Sequence, residues 1–161
     1  MSLLISDANI FIDFEEGGIM EVLFELPDAI GVPDILFEDE LREQHEHLLD
    51  LGLRLVELKE ATVRRLTNLT AKYRGVSRLD MAALAAAEQE TCPLVTGDRR
   101  LRQAAEVEGV EVHGTLWLAE ALVQEQRLTV ARLESAYHAM KWAGRRLPWD
   151  AVRVQLARLG G

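Results

Sequence analysis

Short apolar runs alternate with longer amphipathic stretches along the whole chain. Leu3-Leu4-Ile5-Ser6 is a near-continuous apolar run that stops at Asp7, and it predicts a buried strand. From Glu15 to Leu26 the apolar residues Ile19, Val22, Leu23 and Leu26 fall at helical spacing. Ala29-Ile30-Gly31-Val32, closed by Pro33, reads as a second strand, after which Asp34 can N-cap a helix running to about His47. Leu53 to Leu58 reads as a third strand and Thr62 to Tyr73 as a helix ended by Gly75. Ser77 can N-cap the alanine-rich segment Leu79 to Glu90, whose composition is strongly helical. Pro93-Leu94-Val95-Thr96 is a fourth strand that ends in Gly97-Asp98. A helix from Arg99 to Glu108, a fifth strand Val110-Glu111-Val112 and a helix from Gly114 to Gln124 follow. Two more helices fill the tail, divided by Gly144 and Pro148.

Strands and helices alternate throughout, and no hairpin signal of the Asn-Gly kind interrupts them. The apolar runs are short and unbroken rather than strictly alternating. That pattern predicts an α/β fold with a central parallel sheet of four to five strands covered by helices on both faces. No apolar stretch approaches 18 residues, so a membrane-spanning helix is not expected. The first residues lack a basic segment and meet Asp7 at once, unlike a signal peptide. A single cysteine leaves no intrachain disulfide and no multi-cysteine metal site, and a cytoplasmic protein fits best.

Charge divides the chain. The 161 residues carry a net −9, which argues against a wholly basic polyanion binder. Residues 126–161 hold seven basic and two acidic residues, a net of +5, while the remainder holds 11 basic and 25 acidic, a net of −14. We therefore expect a main domain over 1–125 and a basic helical extension over 126–161 packed on it. The tail's cations either flank a site or simply pair with the acidic body or a second copy.

Ligands of open parallel sheets bind beyond the carboxyl ends of the strands. Asp7 ends the first strand and Asp98 the fourth; Asp80 opens the helix before the fourth strand, and Glu40 lies in the helix after the second. Four acids converging at one edge cannot stay ionised without cations. An all-oxygen donor set selects a hard divalent ion such as Mg²⁺ or Mn²⁺, which can activate water for displacement at phosphorus. Each acid also has a plainer reading. Asp80 suits the first turn of its helix, Asp98 can be an N-cap, and Glu40 stands among Glu38, Asp39 and Glu43 on a solvated face. Asp7 is hardest to explain plainly, because an acid between a buried strand and Ala8-Asn9-Ile10-Phe11-Ile12 is costly to bury.

Ser6-Asp7-Ala8-Asn9, Ser77-Arg78-Leu79-Asp80-Met81-Ala82-Ala83-Leu84-Ala85 and Val95-Thr96-Gly97-Asp98-Arg99-Arg100-Leu101-Arg102, in this order, resemble the motifs of PIN-domain ribonucleases over residues 3 to 123. The resemblance implies a three-layer PIN-like fold and a Mg²⁺- or Mn²⁺-dependent endoribonuclease. Bacterial members of this size are mostly VapC-type toxins of type II toxin–antitoxin pairs. It also implies an RNA substrate, a cognate antitoxin and a homodimer. On it, Asp7, Asp80 and Asp98 match the first, third and fourth acids of the family, Thr96 a hydroxyl that orients the site, and Asn9 a polar residue beside the first acid. The second acid is Glu40 if an aliphatic residue must follow it, or Asp39 if it is counted from Pro33. Other readings are a nuclease of the same fold for RNA maturation or DNA, or a PIN-like module that binds without turnover. Haloacid-dehalogenase phosphatases also begin with a strand-end acid, but Asn9 stands where their second aspartate would be. Gly17-Gly18 lacks the context of a dinucleotide loop.

Overall fold

The computed structural model describes residues 2–160. Five strands, β1 (Leu3–Ser6), β2 (Ala29–Pro33), β3 (Arg54–Val56), β4 (Leu94–Val95) and β5 (Val112–His113), form one sheet in the order β3-β2-β1-β4-β5. Every pairing is parallel. Ile5 lies opposite Gly31 on one side and Leu94 on the other, so β1 is the central strand. Its residues Leu4, Ile5 and Ser6 are buried, as an unbroken apolar run between two helical layers requires.

The helices follow the sequence pattern with informative departures. The expected helix over 15–26 is instead two: α1 (Ala8–Glu16) and α2 (Met20–Leu23). Asp7 N-caps α1 directly after β1, and the chain breaks at Gly17-Gly18. Ile10, Phe11 and Phe14 of α1 are fully buried, each supplying roughly 1.5–3 kcal/mol of burial. The helix expected over 34–47 begins as α3 (Asp34–Leu36), widens into a π-helical turn at Phe37–Leu41, and closes as α4 (Arg42–His45). Its N-cap position is Pro33, and the Asp34 carboxylate accepts from the Ile35 amide at 2.8 Å. After α5 (Leu48–Leu51) come β3 and α6 (Glu60–Lys72). The α7 helix (Arg78–Glu90) is N-capped by Ser77 as expected, and residues Met81 to Ala87 are buried on every side. Their small side chains let α7 lie between α6 and the strands β1 and β2.

The chain continues through α8 (Arg99–Val107), β5 and α9 (Thr115–Gln124). The β5 strand sits two residues later than the apolar run Val110-Glu111-Val112 suggests, because the pairing Leu94↔Val112 and Val95↔His113 decides its register. The tail forms α10 (Val130–Trp142) and α11 (Trp149–Gly160). The α10 helix crosses α1 at Gly17, where an added Cβ would stand 2.8 Å from Met140 Cε and 3.2 Å from Ala136 Cβ.

On the side of the sheet away from that crossing, Glu108 gathers Arg65 (2.7 Å), Lys72 (2.8 Å) and the Tyr73 hydroxyl, joining α6 to the end of α8. Lys72, Tyr73 and Arg65 together hold its carboxyl down at about 2. The carboxylate therefore stabilises the fold above its ordinary value of 4.5, and that contribution is lost as pH falls toward 2. Thermal melts of Glu108→Gln should show a lower Tm than the parent at pH 7, with the gap closing as pH falls toward 2. A constant gap across that range would mean that charge at Glu108 is not what matters.

Candidate active site

The site begins at the end of β1. Asp7 is fully buried, and its amide donates to Val95 O of β4 at 3.3 Å. Its Oδ1 accepts from the Ile10 amide at 3.2 Å, the capping bond of α1, and its Oδ2 accepts from Thr96 Oγ1 at 2.5 Å. Thr96, also fully buried, accepts through the same hydroxyl from the Asp98 amide at 3.0 Å. Asp98 in turn caps α8, accepting from Leu101 N at 2.9 Å. One threonine hydroxyl thus ties the acid at the end of β1 to the acid at the end of β4, and each acid starts a helix.

Asp80 stands in the first turn of α7, with its amide bonded to Ser77 Oγ at 3.1 Å. Burial and the neighbouring Asp98 push its carboxyl up, against the Ser77 bond. Burial pushes Asp7 up to about 7; Asp80 and Asp13 push the same way, while the bonds from Thr96 and Ile10 oppose them. Glu40, in the π-helical turn, is raised by burial, then by Asp80 and Asp39. Asp80 thus influences both Asp7 and Glu40 electrostatically, and Asp98 influences Asp80. Asp39 is exposed. A π-helical turn is a frequent device at functional sites because it turns its residues off the regular helical face. We expect Glu40→Gln to lower nuclease turnover by on the order of a hundredfold and Asp39→Asn to leave it unchanged, as one-ligand and no-ligand losses respectively. Initial rates on RNA test this, and the reverse outcome would assign the second acid to Asp39.

Asp13 is a participant that the sequence reading missed. It lies on α1, is 5% exposed, and accepts from Arg145 Nε at 2.6 Å and from Thr115 Oγ1 at 3.3 Å. A Cβ on Gly97 would stand 4.0 Å from Asp13 Oδ2, so Asp13 adjoins the turn that carries Asp98. Burial raises its carboxyl, and the Arg145 and Thr115 bonds pull it down. Asn9 is the neighbouring polar residue, its Oδ1 lying 3.5 Å from Arg145 Nη2. The signal was present: Asp13 interrupts the apolar series Ile10-Phe11-Ile12-Asp13-Phe14.

The donor chemistry fits a divalent cation. The four acids offer only oxygen, and the charge they share is costly without a positive partner. Each carboxylate oxygen of Asp7 accepts one hydrogen bond and keeps a further lone pair. Among the described residues, no three acids, histidines or cysteines enclose one metal position by themselves. A small hard cation that keeps part of its hydration shell needs no closed cage of side chains.

An all-parallel sheet flanked by helices, with Asp7 and Asp98 capping the helices that follow its two central strands, defines an α/β protein. The chain belongs to the PIN-domain family: the family model DUF3368, described as a PIN domain, matches residues 3–160. Members of that family are generally metal-dependent nucleases. Among solved structures, VapBC2 from Rickettsia felis bound to a DNA fragment from its promoter is similar over 70% of this chain and 98% of that chain, at 13% identity and a TM-score of 0.49. A likeness of that size does not bear on function. No curated protein matches the chain in sequence.

Proposed function

We propose that this protein is a divalent-metal-dependent endoribonuclease that serves as the toxin of a type II toxin–antitoxin pair. The observation that carries the nuclease reading is the buried Asp7, bonded through Thr96 to the Asp98 turn and electrostatically joined to Asp80. A carboxyl buried without a counter-charge beside other acids destabilises the fold, and a bound cation removes that cost.

In this reading Asp7, Glu40, Asp80 and Asp98 hold Mg²⁺ or Mn²⁺. The ion, when bound, supplies activation of water and stabilisation of charge at the scissile phosphate. The chain's own residues do the rest. Thr96 fixes the Asp7 carboxylate through its hydroxyl and the Asp98 backbone through its oxygen, so both acids keep one orientation. The α1 and α8 caps anchor the same acids to rigid helices. Asn9 contributes a polar side chain at the rim.

The toxin assignment, with a cognate antitoxin, a homodimer and a cytoplasmic location, rests on the motif resemblance. No helix among the described residues is long and apolar enough to cross a membrane. Residues 126–161 belong to this reading as an extension packed on the nuclease domain, through α10 against α1.

The test is incubation of the purified chain with total RNA and Mg²⁺ or Mn²⁺, with mapping of new ends. Discrete cuts bearing 3′-hydroxyls support the reading. Tight Mn²⁺ binding with no cleavage of RNA or DNA would overturn it in favour of a binding module. Growth arrest on expression, relieved by the product of a neighbouring small gene, tests the toxin assignment separately.

A further inference from the structure

The −14 body poses an electrostatic problem for the proposed substrate, since a polyphosphate chain must approach an edge lined by acids. The C-terminal hairpin places one cation there. The α10 helix ends with Gly144 at φ +82, a left-handed conformation that suits glycine. Gly144 N donates to Lys141 O and Arg145 N to Met140 O, both at 3.0 Å, the paired bonds of a Schellman stop. Where such stops usually set an apolar residue against the helix, this one delivers Arg145. The close crossing of α10 over Gly17 fixes the hairpin relative to α1. Arg145 therefore lands on Asp13, which adjoins the Gly97 turn between Thr96 and Asp98.

The pairing engages the Nε–Nη2 side of the guanidinium. Nε is bonded to Asp13 Oδ1 at 2.6 Å, and Nη2 reaches Asn9 Oδ1 only at 3.5 Å. The side chain is still 26% exposed, while its partner carboxylate is 7% exposed. A guanidinium tethered through Nε presents its Nη1–Nη2 edge in a fixed direction, and that edge matches two oxygens of a phosphate. A tethered arginine also loses little rotamer freedom when it binds, unlike the exposed and unconstrained Arg146 next to it.

Resting on the nuclease reading above, we infer that Arg145, oriented by Asp13 and Asn9, is a substrate-binding residue that grips an RNA phosphate beside the acid edge. The salt bridge fastens the tail and also keeps the arginine side chain partly open to solvent, on a carboxylate that adjoins the Gly97 turn.

The experiment uses the full chain carrying Arg145→Lys or Arg145→Gln, and the double variant Asp13→Asn/Arg145→Gln, which removes both charges of the pair together. KM and kcat are measured on RNA with Mn²⁺. The dissociation constant of a fluorescent single-stranded oligoribonucleotide is measured in an Asp98→Asn background across a salt series, with Tm recorded for every protein. Loss of one phosphate contact should raise KM and the dissociation constant about tenfold and reduce the salt slope by about 0.7. Arg145→Lys should recover part of the affinity. The double variant should bind as weakly as Arg145→Gln while melting closer to the parent, because no unpaired carboxylate stays buried. Unchanged KM, affinity and salt slope in the double variant, with only Tm altered in Arg145→Gln, would overturn the inference and leave a structural tether. A parent protein that cleaves RNA while the variants match it defeats this inference alone. A parent that neither binds nor cuts RNA defeats the nuclease reading and this inference with it.

Discussion

Asp98→Asn is expected to fold as the parent does and to lose essentially all RNA cleavage. Asparagine caps a helix about as well as aspartate, so the bond from Leu101 N and the start of α8 survive the exchange. The backbone amide of residue 98 still donates to Thr96 Oγ1, so the geometry around Asp7 is kept. What disappears is one unit of negative charge where the proposed cation binds. Loss of one ligand from a small acid cluster costs several kcal/mol of transition-state stabilisation, or at least about a thousandfold in kcat/KM. Single-turnover cleavage with the far-ultraviolet spectrum and Tm as controls checks both halves. Parental activity in Asp98→Asn would remove the nuclease proposal.

Asp7→Asn should also abolish cleavage, yet it should make the metal-free protein more stable. Burial and its acidic neighbours raise the Asp7 carboxyl from 3.8 to about 7. The folded state thus holds a proton that the unfolded chain releases between those values, and stability falls as pH rises through that interval. At 1.36 kcal/mol per unit, the penalty at pH 8 reaches about 4 kcal/mol at most. In EDTA the parent should therefore melt higher at pH 5 than at pH 8, and Asp7→Asn should melt at least about 3 °C above the parent at pH 8. Millimolar Mn²⁺ should raise the parent's Tm by binding only the folded state, and should do little for Asp7→Asn. Identical parental melts in EDTA and in Mn²⁺ would speak against a formed site. A lower Tm for Asp7→Asn would show that its bonds to Ile10 and Thr96 outweigh the buried charge.

The alternation of apolar runs with amphipathic stretches was enough to read a parallel sheet, because strands buried on both faces leave that signature without long-range information. Asp7 and Asp98 were legible as strand-end acids for a related reason: each follows an apolar run, and the structure places each at the N-cap of the next helix. Asp39 and Glu40 could not be separated, since counting from Pro33 assumes a regular helix and the chain instead forms a π-helical turn at Phe37–Leu41, whose buried residues are Phe37 and Leu41. The α1 helix was obscured by its own burial: Ala8 to Phe14 is apolar almost throughout, so a helical period hardly shows. Asp13 could be noticed as an acid in that apolar series, but its partner Arg145 lies 132 positions away. Only the close packing of α10 on Gly17 and the left-handed turn at Gly144 bring the two together.

The central place of β1 also governs when the site comes into being during synthesis. Its two neighbours come from opposite parts of the chain, β2 soon after it and β4 only after α6 and α7. The nascent chain emerges amino end first, so Asp7 and Glu40 are exposed to the cell well before Asp80 and Asp98 exist. Val95 must then dock beside Ser6 across a long loop, a slow step compared with local helix formation. The hairpin with Arg145 follows β4 and β5 in the chain and arrives after them. In the proposed nuclease the four candidate acids come together only once β4 has joined the sheet, so the partly made chain would leave nearby RNA uncut until that step.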